Sequence, residues 1–294
     1  LAVADDDAIE LTSAAGLPLA RWEGGADVLA MGWTAGCDLV TVLRSGHATL
    51  WSMFGEKLAD VALGDECVAH GLVAADVRPE CLCVVTGALR VVLLASYHRE
   101  QRAVCLADPR LSSPPRALVC LDSCADGSSQ SALSRLGGRP RAGTRPPHVL
   151  LASASHTILR VDEHEVQDQL LTSGPYSFLV PSSSGKLVAA YSERGMLYVF
   201  SSDFARTLSE FDTGAAARPT ALVWCASDSL LLQWHSRLVL IGPYGDTCAW
   251  EYGECPVLLP EIDGVRVLLR DSSELLHRVS AATLAVYGDA TAAA

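Results

Sequence analysis

Basic charge is scarce in this 294-residue chain: 22 Lys and Arg stand against 34 Asp and Glu, a formal net charge of −12. A protein that grips phosphate backbones needs clustered Lys and Arg to release counterions, so the balance argues against nucleic acid as a main partner. The same shortage argues against non-specific adhesion to an anionic membrane. Long apolar runs are lacking as well. The best of them, Cys81 to Ala95, is interrupted by Gly87 and Arg90 and falls short of the roughly 18–20 residues of a membrane helix. The first residues, Leu1 to Asp7, have neither a basic start nor an apolar stretch of signal-peptide length. They also lack Met, so the expectation is a fragment or a gene model missing its start.

Catalytic signatures are missing too. The chain has no Gly-x-Ser-x-Gly elbow, no phosphate loop and no His-Glu-x-x-His pair. Ser183-Ser184-Gly185-Lys186 is phosphate-loop-like at its end, but the upstream Gly is absent and the segment reads as a turn entering a strand. His47, His98, His156, His164, His235 and His277 accompany no nucleophile motif. An enzyme is therefore not expected.

Ten cysteines are present without the regular spacing of a disulfide framework. Cys81, Cys83, Cys225 and Cys248 lie inside apolar runs, where reduced Cys behaves as a small hydrophobe. This pattern fits a reducing compartment. Cys67 and His70 with Cys81 and Cys83 form the one zinc set worth weighing, yet structural zinc prefers two well-spaced ligand pairs. Cys81-Leu82-Cys83 turns both thiols to one face of a strand, where they fill core. Cys120 and Cys124 make one pair with no second pair to match. No metal and no cofactor are expected.

What the chain has in quantity is apolar residues, 50% of the total against 19% charged. That composition excludes a mostly disordered chain, and a chain of this length buries about 75% of its unfolded surface. The apolar residues fall into a repeated hairpin. Leu39 to Leu43, a turn at Ser45-Gly46 and Ala48 to Trp51 make the first copy. Cys81 to Val85 with Leu89 to Leu94, and Val149 to Ala152 with Thr157 to Val161, make the second and third. Lys186 to Tyr191 with Met196 to Phe200, Leu230 to Trp234 with Leu238 to Ile241, and Val265 to Leu269 with Leu275 to Val279 follow.

Their turns, at Gly46, Gly87, His156, Gly195, Ser236 and Ser273, mostly recur about every 40 residues, the period of propeller blades. The one larger gap holds a stretch rich in Gly, Ser, Arg and Pro, Asp126 to Pro147, and removing it brings the gap close to the period. Runs apolar on both faces suit blades packed between neighbours. No sustained helical stripe is present; Glu163 to Leu171 is the best attempt, about two turns of helix or else a loop. The expected fold is all-β, a β-propeller of seven blades with the first incomplete, spanning 1–294 as one domain.

Smaller signals accompany the repeat. Gly32-Trp33 before Cys37-Asp38-Leu39, and Val223-Trp224 before Ser227-Asp228-Ser229-Leu230, read as strand, Asp-bearing turn, strand, with the Asp fixing the turn amides. Trp33, Trp51, Trp224 and Trp234 fall in or beside strands and are expected in the core. Arg135, Arg139, Arg141 and Arg145 sit in the Gly- and Pro-rich insert, a loop contact for an acidic partner, a phosphoinositide head group or RNA, or else a disordered surface loop. Glu261, Asp263 and Arg266 share one short segment. They form a partner-binding or acid–base cluster, or else an acidic turn into a strand, with Arg266 pairing a carboxylate and Gly264 supplying the permissive backbone.

Several blocks resemble the N-terminal domain family of vacuolar protein sorting-associated protein 16. Phe200-Ser201-Ser202-Asp203, Leu208-Ser209-Glu210-Phe211-Asp212-Thr213 and Ala221-Leu222-Val223-Trp224-Cys225 carry it, and Ile241 to Asp246 continues it. The sharpest piece is Leu259-Pro260-Glu261-Ile262-Asp263-Gly264-Val265-Arg266-Val267. Ser13 to Ala20 and Leu29 to Trp33 carry the likeness near the start. The resemblance spans about Ile9 to Ala294, is tight in the last third and loose between Cys67 and Thr172, and does not extend to the insert.

It implies a propeller followed, in the family, by a long α-solenoid absent here. It marks Pro260, Glu261, Asp263, Gly264, Arg266, Trp224 and Phe211 as family-motif positions, structural or interacting. It further implies a non-catalytic scaffold of the HOPS and CORVET complexes, which tether endosomes and vacuoles or lysosomes through Rab GTPases and promote SNARE assembly. In the family the Sec/Munc-type subunit docks on the solenoid. Membrane association would be peripheral and through the complex, with a cytoplasmic location. The alternative from a different class is a propeller that binds a small ligand or nucleic acid.

Overall fold

The computed structural model describes residues 1–4, 7–13, 16–97, 101–121, 147–154 and 157–277. The fold is an all-β propeller built of seven sheets, each a meander of strands consecutive in sequence. The chain divides into two compact units, Leu1–Leu179 and Val180–Ala294.

In the first unit, β1 (Ala2–Ala4), β2 (Ala8–Thr12) and β3 (Pro18–Glu23) form a three-stranded sheet. The second sheet holds β4 (Val28–Trp33), β5 (Leu39–Leu43), β6 (Ala48–Trp51) and β7 (Lys57–Val61), and the third holds β8 (Leu72–Val77), β9 (Leu82–Thr86), β10 (Val91–Leu94) and β11 (Ala103–Cys105). The fourth sheet is β12 (Ala117–Leu121), β13 (His148–Ala152), β14 (Ile158–Val161) and β15 (Val166–Asp168). The fifth sheet starts with β16 (Tyr176–Pro181), at the division, and its β17 (Leu187–Ser192), β18 (Met196–Ser201) and β19 (Thr207–Asp212) belong to the second unit. In the second unit the sixth sheet is β20 (Ala221–Cys225), β21 (Ser229–Trp234), β22 (Arg237–Ile241) and β23 (Thr247–Glu251), and the seventh is β24 (Val257–Pro260), β25 (Gly264–Leu268) and β26 (Ser273–His277).

Position within a sheet explains composition. The second strands are covered on both faces: β9 is buried at every residue and β5 at four of five. They therefore read as continuous Val, Leu and Cys. The fourth strands are covered on one side only, so Lys57–Val61 and Thr247–Glu251 mix charged and apolar residues and stay largely exposed. Cys248 lies on one of these outer strands and is exposed, contrary to its expected place in an apolar run.

The six repeated hairpins fall on β5–β6, β9–β10, β13–β14, β17–β18, β21–β22 and β25–β26, each antiparallel. Glu163 to Leu171 is not helical. It contains β15, whose Val166 pairs with Val161, and Asp162 accepts the backbone N–H groups of His164 and Glu165 at 2.8 and 2.9 Å in the turn between. A helix does form where none was expected, α1 (Asp65–His70), in the connection from β7 to β8. Gly46 makes room for it. Its φ is 92°, and a Cβ there would lie 2.1 Å from the Cys67 carbonyl oxygen.

A threonine takes part in the Gly32–Leu39 turn: the Thr34 hydroxyl accepts the N–H groups of Gly36 and Asp38 at 3.2 and 3.1 Å. In the matching turn of the sixth sheet, Asp228 accepts the Ser229 hydroxyl at 2.9 Å.

Candidate interaction site

The motif positions divide into two places in the second unit. The first is a cavity of about 180 Å³ between strands of the fifth and sixth sheets. Leu197, Val199, Leu208 and Phe211 line it from one side, and Trp224, Leu230, Ile241 and Pro243 from the other. Ser209, Ser227 and Asp228 supply its polar groups. Trp224 is buried, and its indole Nε1–H donates to the Val180 carbonyl at 2.9 Å. Phe211 is half-buried on β19. Leu208 is 51% exposed at the lining, and Tyr244, beside Pro243, is 91% exposed.

Such a cavity is too small for a drug-sized ligand, whose pockets run to about 300–1,000 Å³. Its volume suits one apolar side chain. It offers one carboxylate and no paired acid and base, so its lining supports packing and recognition and supplies no proton-transfer pair.

The second place is the β24–β25 turn. Arg266 donates to the Glu261 carboxylate, and its Nη1 lies 3.5 Å from the Ser273 hydroxyl. The Glu261 carboxylate keeps the guanidinium above its ordinary value. Glu261 N–H donates to the Gly264 carbonyl at 2.9 Å and closes the turn. Pro260 and Asp263 are exposed, and Ile262 is 90% exposed at the tip. Gly264 is not in the left-handed region that a permissive turn residue would use. Its glycine is required by close approach, because a Cβ would sit 2.3 Å from the Leu276 carbonyl oxygen on β26.

The tryptophans separate. Trp224 is core, whereas Trp33, Trp51 and Trp234 are half-buried. Trp51 stacks on Trp22 with centroids 4.5 Å apart, a partner that spacing along the chain does not reveal. Trp234 donates to the Ala217 carbonyl at 2.8 Å near the surface. The insert arginines Arg135, Arg139, Arg141 and Arg145, with Cys124, His98 and His156, lie outside the described residues. The other histidines weighed for catalysis, His47, His164, His235 and His277, are exposed. Among the described residues, no three His, Cys, Asp or Glu side chains converge as a metal site. No helix among them is long and apolar enough to cross a membrane.

The family model for the N-terminal region of Vps16 matches residues 6–288. The chain belongs to this Vps16 N-terminal region family. A vacuolar protein sorting-associated protein 16 homolog of Dictyostelium discoideum is 26% identical over 282 residues, covering 90% of this chain and 31% of that protein. A probable homolog of Schizosaccharomyces pombe is 34% identical over 128 residues, covering 42% of this chain and 15% of that protein. The chain thus spans about a third or less of the curated Vps16 relatives it matches. Among solved structures, the β-propeller domain of Myceliophteria thermophila Cps50 (Swd1) superposes with a TM-score of 0.63 at 11% identity, covering 90% of this chain and 88% of that one. At that identity the likeness concerns the fold. The curated relatives it matches are vacuolar protein sorting-associated protein 16 homologs.

Proposed function

We propose that this Vps16 N-terminal region is a non-catalytic interaction platform of an endosome and vacuole tethering complex of the HOPS and CORVET kind. The observation that carries the reading is the family match over residues 6–288, nearly the whole chain. Two further observations support it. The cavity beside Trp224 is apolar with a single carboxylate, a lining suited to packing against protein. The net charge of −12 disfavours direct capture of phosphate-rich surfaces. The partners in this reading are the other complex subunits, with Rab GTPases and SNAREs engaged through them. The Sec/Munc-type subunit would bind the segment that follows the propeller in the longer relatives. The place of action is the cytoplasmic face of late endosomes and vacuoles or lysosomes.

The test is co-precipitation with the full-length protein and, in parallel, with residues 1–294 alone. The full-length protein is expected to recover the tethering subunits, including the Sec/Munc-type one, and residues 1–294 are expected to miss the latter. Failure of the full-length protein to recover any tethering subunit overturns the reading. Strong capture of the Sec/Munc-type subunit by residues 1–294 overturns the division of labour.

A further inference from the structure

Two cysteines far apart in sequence meet between the third and fourth sheets of the first unit. The Sγ atoms of Cys81 and Cys120 are 2.6 Å apart, and both residues are buried. A disulfide bond measures about 2.05 Å, so joining them asks for a movement of well under an ångström.

One carboxylate and one arginine hold both chains at this point. Asp76 accepts the Cys120 backbone N–H at 2.9 Å and the Arg78 Nε–H at 2.7 Å. The Arg78 backbone N–H donates to the Cys81 carbonyl at 2.8 Å, and the Tyr97 hydroxyl donates to the same carbonyl at 2.6 Å. These bonds hold the backbone of both cysteines in place at the contact. Cys83, also fully buried, is a third thiol hydrogen-bonded to Cys120.

From this geometry we propose that Cys81 and Cys120 form an oxidisable pair that closes to a disulfide, stitching the third sheet to the fourth, when the protein meets a peroxide. One thiolate attacks the peroxide; a sulfur–oxygen bond forms, the oxygen–oxygen bond breaks, and the departing hydroxide takes a proton and leaves as water. The second thiol attacks the resulting sulfenic sulfur. The sulfur–sulfur bond forms, the sulfur–oxygen bond breaks, and the hydroxide leaves with the remaining proton as a second water. Two thiols and one peroxide give one disulfide and two waters, with two electrons passing from sulfur to oxygen.

Reactivity at rest is low. Burial first, outweighing the Cys120 contact, keeps the Cys83 thiol above its ordinary value. Cys120 is drawn down by Cys81, but Cys83 and burial carry it well above its own. The pair therefore reacts through local opening, on a slower clock than an exposed thiol.

The test is hydrogen peroxide treatment of the intact chain, followed by denaturation, alkylation and non-reducing peptide mapping. The expected result is a cross-linked peptide joining Cys81 to Cys120, reversed by a thiol reductant, with a raised melting temperature of the oxidised protein. Cys83→Ser should retain the link and Cys120→Ser should lose it. The map of the unsubstituted chain decides the matter even if Cys120→Ser does not fold. A link between Cys83 and Cys120, or full alkylation of Cys81 and Cys120 while exposed Cys37, Cys105, Cys248 and Cys255 are oxidised, overturns the proposal.

Discussion

The indole Nε1–H of Trp224 donates to the carbonyl oxygen of Val180 over 2.9 Å, tying the first strand of the sixth sheet to the first strand of the fifth. The ring also forms one wall of the cavity between them. Trp224→Ala removes a buried aromatic next to existing empty space, so the neighbours have little to collapse onto. The expected loss is about 3–5 kcal/mol. Trp224→Phe keeps most of the volume but leaves the Val180 carbonyl without its donor, at about 1–3 kcal/mol. Urea unfolding checks both through the transition midpoint at unchanged slope. A negligible loss for the alanine variant would place the ring outside the core and make it a binding candidate.

Gly264 pairs with His277 across β25 and β26, and the Leu276 carbonyl oxygen occupies the space a side chain would need. That oxygen is backbone and cannot rotate aside. Gly264→Ala is therefore expected to lower stability by on the order of 1–3 kcal/mol through forced displacement of β26. Asp263→Ala, one residue away and exposed, is expected to leave the midpoint unchanged. Equal behaviour of the two variants would mean that the turn, and not close approach, explains the glycine.

How far the fold was legible follows from the burial of each strand. Leu82–Thr86 and Ser229–Trp234 are sandwiched on both faces, so their apolar runs and turns announce strands directly. Outer strands such as Thr207–Asp212 and Thr247–Glu251 are half wet, and their mixed composition is indistinguishable from loop. The first sheet escaped the repeat for a related reason: Pro18–Glu23 carries Arg21 and Glu23 on its exposed side.

Of the motif residues, Glu261 and Arg266 are close enough in sequence for pairing to be weighed in advance. The Trp224–Val180 bond and the Cys81–Cys120 contact join residues 44 and 39 positions apart in different sheets. Sheet-to-sheet neighbours of this kind follow from three-dimensional packing, which a single sequence does not record. Asp38 stands out in the sequence as a turn residue, whereas Thr34, whose hydroxyl accepts two turn amides, does not, because a threonine next to a strand reads as part of it.

The contribution of the Thr34 hydroxyl is open to direct measurement. Thr34 is 5% exposed, and its hydroxyl satisfies two turn amides, those of Gly36 and Asp38. Thr34→Val preserves the shape and removes the acceptor, so both donors lose their bond; the expected cost is about 1–3 kcal/mol. Thermal unfolding of the variant beside the unsubstituted protein gives the answer, and an unchanged midpoint would mean that the Thr34 bonds do not hold the turn.

The turn between β18 and β19 offers a pH readout. The Ser201 hydroxyl donates to Asp203 Oδ1 at 2.5 Å, and the Ala205 backbone N–H donates to the same oxygen at 3.0 Å. These bonds, the Ser201 one foremost, hold the Asp203 carboxyl below its usual value of 3.8. A carboxyl whose folded value is depressed contributes stability that is fully present above its unfolded value and is lost as pH falls through the folded one. The contribution of Asp203 is therefore constant from neutral pH down to about pH 4 and drains away below it. Asp203→Asn removes that pH-dependent contribution, so wild type and variant should differ most at neutral pH and converge as pH falls through the depressed folded value. Urea midpoints across pH 2–7 measure the difference. A gap that stays constant down to the lowest pH would mean that the Asp203 bonds do not distinguish its ionised from its protonated form.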